Sequence, residues 1–267
     1  MKTYKYWKRV TESLTGPAGE ALSITGLGRS NESEAAAAAD AREHLARVKA
    51  KIAGEEVPEK EDYSADIREE VVAELDPRNV VTRNRYGALV LNTESVSIID
   101  IDEHRKGFLE MLGFKKRENK PAIIEDVGKV AALPEYADLG FRLYETHKGV
   151  RLIITGAYCD PEGRGWALMR ACNSDPLFKM LCRRQTCYRA RLTPKPHRMK
   201  MKTMRWRWPM EGDELAAGRA WADEYAERSA AFAVCKYLKT LGRTHEPDAI
   251  IKYHDEETRA ASGLPLA

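Results

Sequence analysis

The sequence has no apolar run long enough to cross a membrane. A spanning helix needs roughly 20 consecutive apolar residues. The first residues, Met1–Trp7, also lack the apolar core of a secretory signal. We therefore expect no membrane partner and a cytoplasmic location. Hydrophobic residues make up 43% and charged residues 32% of the chain. This balance is typical of a globular protein rather than a disordered one.

Cysteine is scarce, with five residues in 267. The number is odd and the chain is long enough to bury a core without disulfide bonds, so we expect reduced thiols. Cys182 and Cys187 lie close together, with His197 further on, but a zinc site of this type needs a second close pair. We expect these two cysteines to be small buried hydrophobic residues instead.

Acidic residues are missing from one long stretch. Between Pro176 and Met210 there are eleven lysines or arginines and no aspartate or glutamate. Because the whole chain has a net charge of only +3, the remainder must be acidic. The segregation predicts a cationic face on an acidic body, which is the usual feature of proteins with phosphate-bearing partners.

A short acidic motif, Asp100 and Asp102, ends the apolar segment that begins at Val96. In a strand, residues two apart point to the same side, so the two carboxylates share one face, about 7 Å apart. Two interpretations remain open. The carboxylates can bind a hard cation such as Mg²⁺ or Mn²⁺, or they are solvated acids at the end of a strand.

The periodicity predicts an α+β protein with two parts. Residues 1–54 form a β-β-α unit, with strands at 4–10 and 21–27 and a helix from Ser30 or Asn31 to about Ile52. Residues 55–64 form a charged linker. Residues 65–267 form an α/β core with a C-terminal helical segment.

Within the second part, the pattern predicts helices and strands in alternation. Helices are expected at 65–75, 123–133, 166–173, 177–184, 213–241 and 249–259, with a helical turn around Phe108–Leu112. Strands are expected at 80–83, 88–91, 95–102, 141–147, 150–155 and 188–192. We expect 88–91 and 95–102 to pair as a hairpin, and a tight turn at Lys148-Gly149. Pro194 and Pro196 predict an irregular loop that carries Lys195, His197 and Arg198.

Three segments in this order resemble motifs of the archaeo-eukaryotic primase superfamily, which includes primase-polymerases. They are Ile99-Asp100-Ile101-Asp102, the segment Thr146–Ile154, and the basic segment Arg189–Arg198. The resemblance covers roughly residues 80–200. It implies a small mixed or antiparallel sheet of RRM-like type with helices packed on it, beside the N-terminal unit and a long C-terminal helix.

The resemblance also implies site residues. Asp100 and Asp102 would be catalytic and would bind Mg²⁺ or Mn²⁺. The nucleotide phosphates would be bound by His147, Lys148, Arg151, Arg189, Arg191, Lys195 and His197. Each has a simpler interpretation: His147 as a polar turn residue, and the two strand arginines as a solvated face. Trp206 and Trp208 either stack on single-stranded bases or pack a helix against the core.

The chain departs from the family pattern at two points. Arg151 stands where the family usually has a histidine, and no third carboxylate has a clear counterpart, with Asp160 and Asp213 as candidates by order alone. Three functions follow. The first is a metal-dependent nucleotidyltransferase of primase-polymerase type. The second is a non-catalytic nucleic-acid-binding protein, and the third a phosphodiester hydrolase. The expected partners are DNA, RNA or a nucleoside triphosphate.

Overall fold

The structure is a computed structural model that describes residues 1–15, 19–56, 66–103 and 119–267. In the described residues, ten strands form three antiparallel sheets, accompanied by six α-helices, which confirms the α+β class. The expected helical turn at Phe108–Leu112 and most of the expected linker lie outside the described residues.

The N-terminal β-β-α unit is present as expected. Strands β1 (Tyr6–Thr15) and β2 (Ala21–Ser30) form a hairpin, and helix α1 (Glu34–Ile52) packs on it. The helix begins after Ser33, whose hydroxyl accepts a hydrogen bond from the Ala36 amide, rather than after Ser30 or Asn31. A serine at this position satisfies one of the unpaired amides of the first turn.

The rest of the described chain contains eight strands and five helices. The strands are β3 (Glu70–Asp76), β4 (Asn79–Arg83), β5 (Leu89–Thr93), β6 (Ser97–Asp102), β7 (Gly140–Thr146), β8 (Gly149–Thr155), β9 (Tyr188–Arg191) and β10 (Cys235–Gly242). The helices are α2 (Lys120–Ala131), α3 (Arg164–Ala171), α4 (Pro176–Gln185), α5 (Asp213–Ser229) and α6 (Ala249–Glu257). No helix in the described part of the chain is both long and apolar enough to span a membrane.

Two four-stranded sheets form the centre of the molecule. One has the strand order β10-β7-β8-β6 and the other β3-β4-β5-β9. Strand β8 is buried along its whole length, and Ile99 and Ile101 of β6 point into the core while Asp102 is exposed. Strand β6 is buried on both faces from Ser97 to Ile99, and the face that carries the acids opens to solvent only at the end of the strand, where Asp100 is partly exposed.

The expected pairing of residues 88–91 with 95–102 is wrong. Strand β5 pairs with β4 and β9, whereas β6 pairs with β8 in the other sheet. The Thr93 hydroxyl accepts hydrogen bonds from the amides of Ser95 and Val96, at 3.1 Å each. This local turn leads the chain from one sheet to the other instead of folding it back on itself.

Two expected helices are also wrong. Residues 70–76 form the edge strand β3, where consecutive β-branched residues, Val71 and Val72, favour extended backbone. The helix expected at 213–241 ends at Ser229, and the remainder contains β10. Arg259 donates to the carbonyls of Ser229 and Phe232 at this end of the helix. The long C-terminal helix is therefore a shorter helix followed by a strand.

Candidate functional site

The two acids of β6 lie at the end of the sheet, opposite the start of β8. In the antiparallel register, Asp100 faces Arg151 and Asp102 faces Gly149. Strands β7 and β8 are joined by a two-residue turn, His147-Lys148, one residue earlier than expected. Gly149 allows this close pairing, since a Cβ there would lie 2.0 Å from the Ile101 carbonyl oxygen.

Asp100 and Arg151 form a two-pronged ion pair. Arg151 donates from Nε to Oδ1 at 2.7 Å and from Nη2 to Oδ2 at 3.0 Å. The Arg151 side chain is 1% exposed and that of Asp100 is 32% exposed. The remaining guanidinium nitrogen, Nη1, donates to the Arg191 carbonyl at 3.0 Å and to His254 Nε2 at 3.1 Å. All three nitrogens of Arg151 therefore have acceptors.

The charges of this pair are stabilised by each other. Burial alone would raise the pKa of Asp100, but Arg151, with smaller contributions from Arg191 and His254, lowers it below its usual value. Burial would lower the pKa of Arg151, but Asp100 raises it. Burial lowers the pKa of His254, so this ring is neutral and accepts from Arg151 through Nε2 while Nδ1 donates to Asp255. The pair stays ionised at neutral pH.

The arrangement does not fit a two-metal cage. Both oxygens of Asp100 already accept from Arg151, and no three potential metal ligands converge anywhere in the described ranges. The two candidates for a third acid lie elsewhere: Asp160 accepts from the amides of its own loop, and Asp213 lies in the first turn of α5. Metal binding by Asp100 and Asp102 stays a prediction that this geometry does not favour.

Asp102 lies among positive charges. Burial, Asp100 and the α4 N-cap Asp175 raise its pKa, while Lys195 and Arg191 oppose them. We call the group near it, four cationic residues and one histidine, the cationic cluster: Lys148, Arg191, Lys195, Arg198 and His197. They come from the β7–β8 turn, the end of β9, and the loop with a short 3₁₀ turn at Pro196–Met199. The cluster therefore joins segments far apart in the sequence.

The members of the cationic cluster repel one another. Burial lowers the pKa of Lys195, and Arg191, Arg198 and Lys148 lower it further. The pKa of His197 is lowered by burial and then by Arg198, Lys195, Lys148 and Arg191. Burial and the neighbouring Arg151 lower the pKa of Arg191 to about 10. These mutual effects show that the cluster is a connected electrostatic unit.

Two guanidinium groups of the cluster have unused donors. The Nε atoms of Arg191 and Arg198 are buried and have no acceptor among the described residues. A buried donor without an acceptor costs roughly 1–3 kcal/mol. The loop that holds Arg198 is itself well fixed, because the Tyr225 hydroxyl donates to Thr193 Oγ1 at 2.7 Å and contacts the Pro194 carbonyl at 2.6 Å. The donors are thus rigidly placed.

Three of the expected phosphate-binding residues lie outside the cluster. Arg151 pairs with Asp100, as described above. Arg189 donates to Glu69 Oε2 at 2.5 Å. His147 Nδ1 lies 3.1 Å from the Leu266 carbonyl, the position of a polar turn residue. Conversely, Arg198 belongs to the cluster although the sequence predicts it as a residue of the basic loop and not as a phosphate-binding residue. The sequence feature that could have identified Arg198 is its place in the basic stretch that contains no acidic residue.

Comparison with protein-family models, with curated proteins and with solved structures finds no match.

Proposed function

We propose that the protein binds nucleic acid or nucleotides through their phosphate groups at the cationic cluster, without metal-dependent phosphoryl transfer. The observation that carries this proposal is the convergence, around Asp102, of four cationic side chains and the neutral ring of His197 from three segments. An anion would offset their repulsion. Arginine is well suited to this ligand because its planar fork matches two phosphate oxygens.

The buried donors support the same conclusion. Arg191 and Arg198 each hold an N–H group that water does not reach and no described side chain satisfies. A group that water does not reach is equally closed to a phosphate oxygen, so binding at these two Nε atoms requires the side chains to shift. A solvated surface patch of lysines would not leave donors in this state.

Binding is favoured over turnover because of Asp100. The nucleotidyltransferase that the primase resemblance implies needs both aspartates as metal ligands. The charge of Asp100 is instead neutralised by Arg151. We therefore propose the non-catalytic binding protein ahead of the metal-dependent enzyme, with DNA, RNA and nucleoside triphosphates as the ligands to compare.

The binding test uses fluorescence anisotropy with a labelled single-stranded oligonucleotide at several salt concentrations. We expect affinity to fall steeply with salt, since the slope of log K against log salt is about −0.7 per phosphate contacted on a single strand. The double variant K195Q/R198Q should bind at least tenfold more weakly and with a shallower slope. Unchanged affinity and slope in this variant would contradict the proposal.

The matched control is the double variant K200Q/K202Q. It removes the same charge from exposed positions of the same basic stretch, outside the cationic cluster. If both double variants lose affinity equally, the effect is one of net charge and the cluster is not the site. A specific site predicts that only K195Q/R198Q is strongly affected.

A second experiment asks about turnover. Labelled nucleotide incorporation on primed and unprimed templates with Mg²⁺ or Mn²⁺ should stay at background in the wild-type protein. Incorporation that disappears in Asp102→Asn would overturn the non-catalytic proposal and restore the nucleotidyltransferase.

We also infer a reducing, cytoplasmic setting. All five cysteines are buried and free of disulfide bonds. This includes Cys182 and Cys187, which lie close together in the sequence. Mass spectrometry of the protein purified without reductant, after alkylation, should find five free thiols.

A further inference from the structure

A second basic site lies between the β3–β4 hairpin and the segment that precedes α5. It is a cavity of about 190 Å³ and shares no residue with the cationic cluster. Its wall includes the side chains of Arg68, Arg85, Met204, Arg207, Trp208 and Met210. The cavity is smaller than a typical pocket for a whole drug-sized ligand, which is roughly 300–1,000 Å³, so it encloses part of such a ligand and leaves the rest outside.

The described residues leave most of the positive charge of this cavity without a carboxylate partner. Its single carboxylate, Glu70, is paired with Arg83 at 2.9 Å. Arg68, Arg85 and Arg207 have no carboxylate partner among the described residues. Burial, followed by repulsion from Arg9 and Arg207, lowers the pKa of Arg68. The cavity therefore favours an anion.

The other part of the cavity wall is formed by two methionines and a tryptophan. Met204 and Met210 are buried, and Trp208 is a further residue of the cavity wall. Trp208 Nε1 is buried and has no acceptor among the described residues. A simple inorganic anion would use the arginines but not this surface. A flat ring with polar edges would use both.

The segment that carries Trp208 is held in place from two sides. Arg9 of β1 donates to the carbonyls of Arg207, at 3.1 Å, and Pro209, at 2.5 Å. Arg68 donates from Nε to the Trp208 carbonyl at 2.6 Å. The indole and the arginines are therefore presented together by a fixed backbone, as a preformed site requires.

We propose that this cavity binds a nucleoside phosphate, with its phosphate against the arginines and its base against Trp208. Base–aromatic stacking and arginine contacts are the two interactions by which proteins commonly bind unpaired nucleotides. The nucleoside phosphate can be free or part of a single strand. The site is independent of the cationic cluster, so either proposal can fail alone.

The test is isothermal titration calorimetry of the full chain with adenosine 5′-monophosphate, adenosine and inorganic phosphate. We expect the monophosphate to bind more tightly than either of the other two, because only it engages both walls. Arg207→Gln should weaken binding by at least about tenfold, since it removes a charge-assisted contact to the phosphate. Arg205→Gln is the matched control, an exposed arginine in the same segment that does not line the cavity.

The indole is tested in the same way. Trp208→Phe keeps an aromatic ring but reduces the surface on which a base can stack, and should weaken binding several-fold. Trp206→Phe, outside the cavity wall, should leave it unchanged. Saturable binding that ignores both Arg207→Gln and Trp208→Phe, or no binding of the monophosphate or of a single strand, overturns the proposal.

Two further measurements distinguish a free nucleotide from a single strand as the ligand, and the cavity from the cationic cluster as the site. A single-stranded oligonucleotide of about twelve residues, within the usual range of single-strand sites, is titrated beside the monophosphate. Sensitivity to Arg207→Gln confined to the oligonucleotide identifies a strand as the ligand. The double variant K195Q/R198Q should keep its monophosphate affinity. If K195Q/R198Q loses monophosphate binding and Arg207→Gln does not, the cavity is not the binding site and the cationic cluster is.

Discussion

Arg151 determines what Asp100 is able to do. A carboxylate beside a solvated strand end is a possible metal ligand, but one that accepts two hydrogen bonds from a buried guanidinium has a structural partner already. Arg151 stands where the primase pattern has a histidine, so the departure seen in the sequence and the ion pair seen in the structure concern the same residue. The proposal of binding without metal chemistry therefore depends on this ion pair.

Removing one partner of this pair should be costly. Asp100→Asn leaves the Arg151 charge buried without compensation, and we expect a loss of about 3–5 kcal/mol in the free energy of unfolding. Arg151→Met should cost less, because Asp100 is 32% exposed and can be hydrated. The double variant should lose less than the sum of the two. Urea unfolding of the four proteins measures this coupling.

The contribution of this ion pair to stability depends on pH in a way that follows from the direction of the Asp100 pKa shift. The pKa of Asp100 is lowered in the folded protein, so its contribution is present above the unfolded pKa of about 3.9 and is lost as pH falls through the folded value. The stability difference between wild type and Asp100→Asn should be constant from neutral pH to about pH 5. A difference that vanishes already near neutral pH would contradict the ion pair.

The pKa of Asp102 is shifted in the opposite direction from that of Asp100. Its pKa is raised by burial, Asp100 and Asp175. Its negative charge opposes an anion in the cationic cluster, so Asp102→Asn should strengthen oligonucleotide binding by up to about fivefold, as expected for exposed charge pairs worth about 0.2–1 kcal/mol. Wild-type affinity should rise as pH falls and Asp102 is protonated, and the variant should respond less. Anisotropy titrations from neutral to mildly acidic pH measure both.

The control for Asp102 is Asp223→Asn, an equal charge change at an exposed position of α5. It should leave the affinity nearly unchanged. A phosphodiester probe is preferable to a monophosphate, because a monoester itself titrates with a pKa near 6. Strong weakening by Asp102→Asn would indicate a carboxylate that contributes to binding through a metal ion.

At the scale of elements, the N-terminal unit depends on close approach of helix and hairpin. Helix α1 presents Ala37 and Ala41 to β2, and a Cβ on Gly28 would lie 2.0 Å from the Ala37 carbonyl oxygen and 2.2 Å from the Ala41 amide nitrogen. Both are backbone atoms of the helix, so the helix must move. Gly28→Ala should destabilise the protein by about 1–3 kcal/mol or more, as overpacking does.

The paired control is Gly128→Ala, in the middle of α2. A Cβ there meets no atom within 4 Å, so the substitution should stabilise the helix by up to about 1 kcal/mol. Chemical unfolding monitored by circular dichroism compares the two variants. Equal effects would mean that α1 does not pack on β2 through this contact.

Local patterns predicted some elements and not others. The alternation in β6, the β7–β8 hairpin and the alanine-rich helix α1 each follow from residues close in the sequence. The separation of β5 and β6 into two sheets does not, because a pair of adjacent strands with a short connection ordinarily forms a hairpin. Strand β10 was hidden for a similar reason: Tyr237 suits the apolar stripe of a helix as well as the face of a strand.

The residue types of the candidate site could be predicted from the sequence, but the ion pairs that they form could not. The acid-free basic stretch contains three members of the cationic cluster beyond β9, and the two aspartates are visible in the sequence. Which cation meets which acid depends on register and on contacts across long separations. Arg151 is 51 residues from Asp100, and Arg189 is 120 residues from Glu69. Neither pairing can be obtained from spacing.

At the scale of the whole molecule, a binding surface and a stable fold make opposing demands. Among the described residues, the cationic cluster keeps like charges together with Asp102 and the already paired Asp100 to offset them, and proteins commonly tolerate such a cost where function requires it. The variant K195Q/R198Q should therefore be more stable than wild type in chloride, since it removes repulsion. The same variant should lose the additional stability that a bound polyanion gives.

Thermal unfolding in chloride and in pyrophosphate at matched ionic strength measures both effects. A ligand at 100 times its dissociation constant stabilises the folded state by about 2.7 kcal/mol, so the wild-type melting temperature should rise in pyrophosphate. Multivalent anions also stabilise proteins generally by exclusion from their surfaces, and K200Q/K202Q reports that contribution because it leaves the cluster intact. We expect K200Q/K202Q to gain as much as wild type and K195Q/R198Q to gain little. Equal gains in all three proteins would mean that pyrophosphate acts on the surface as a whole and that the cationic cluster binds no anion.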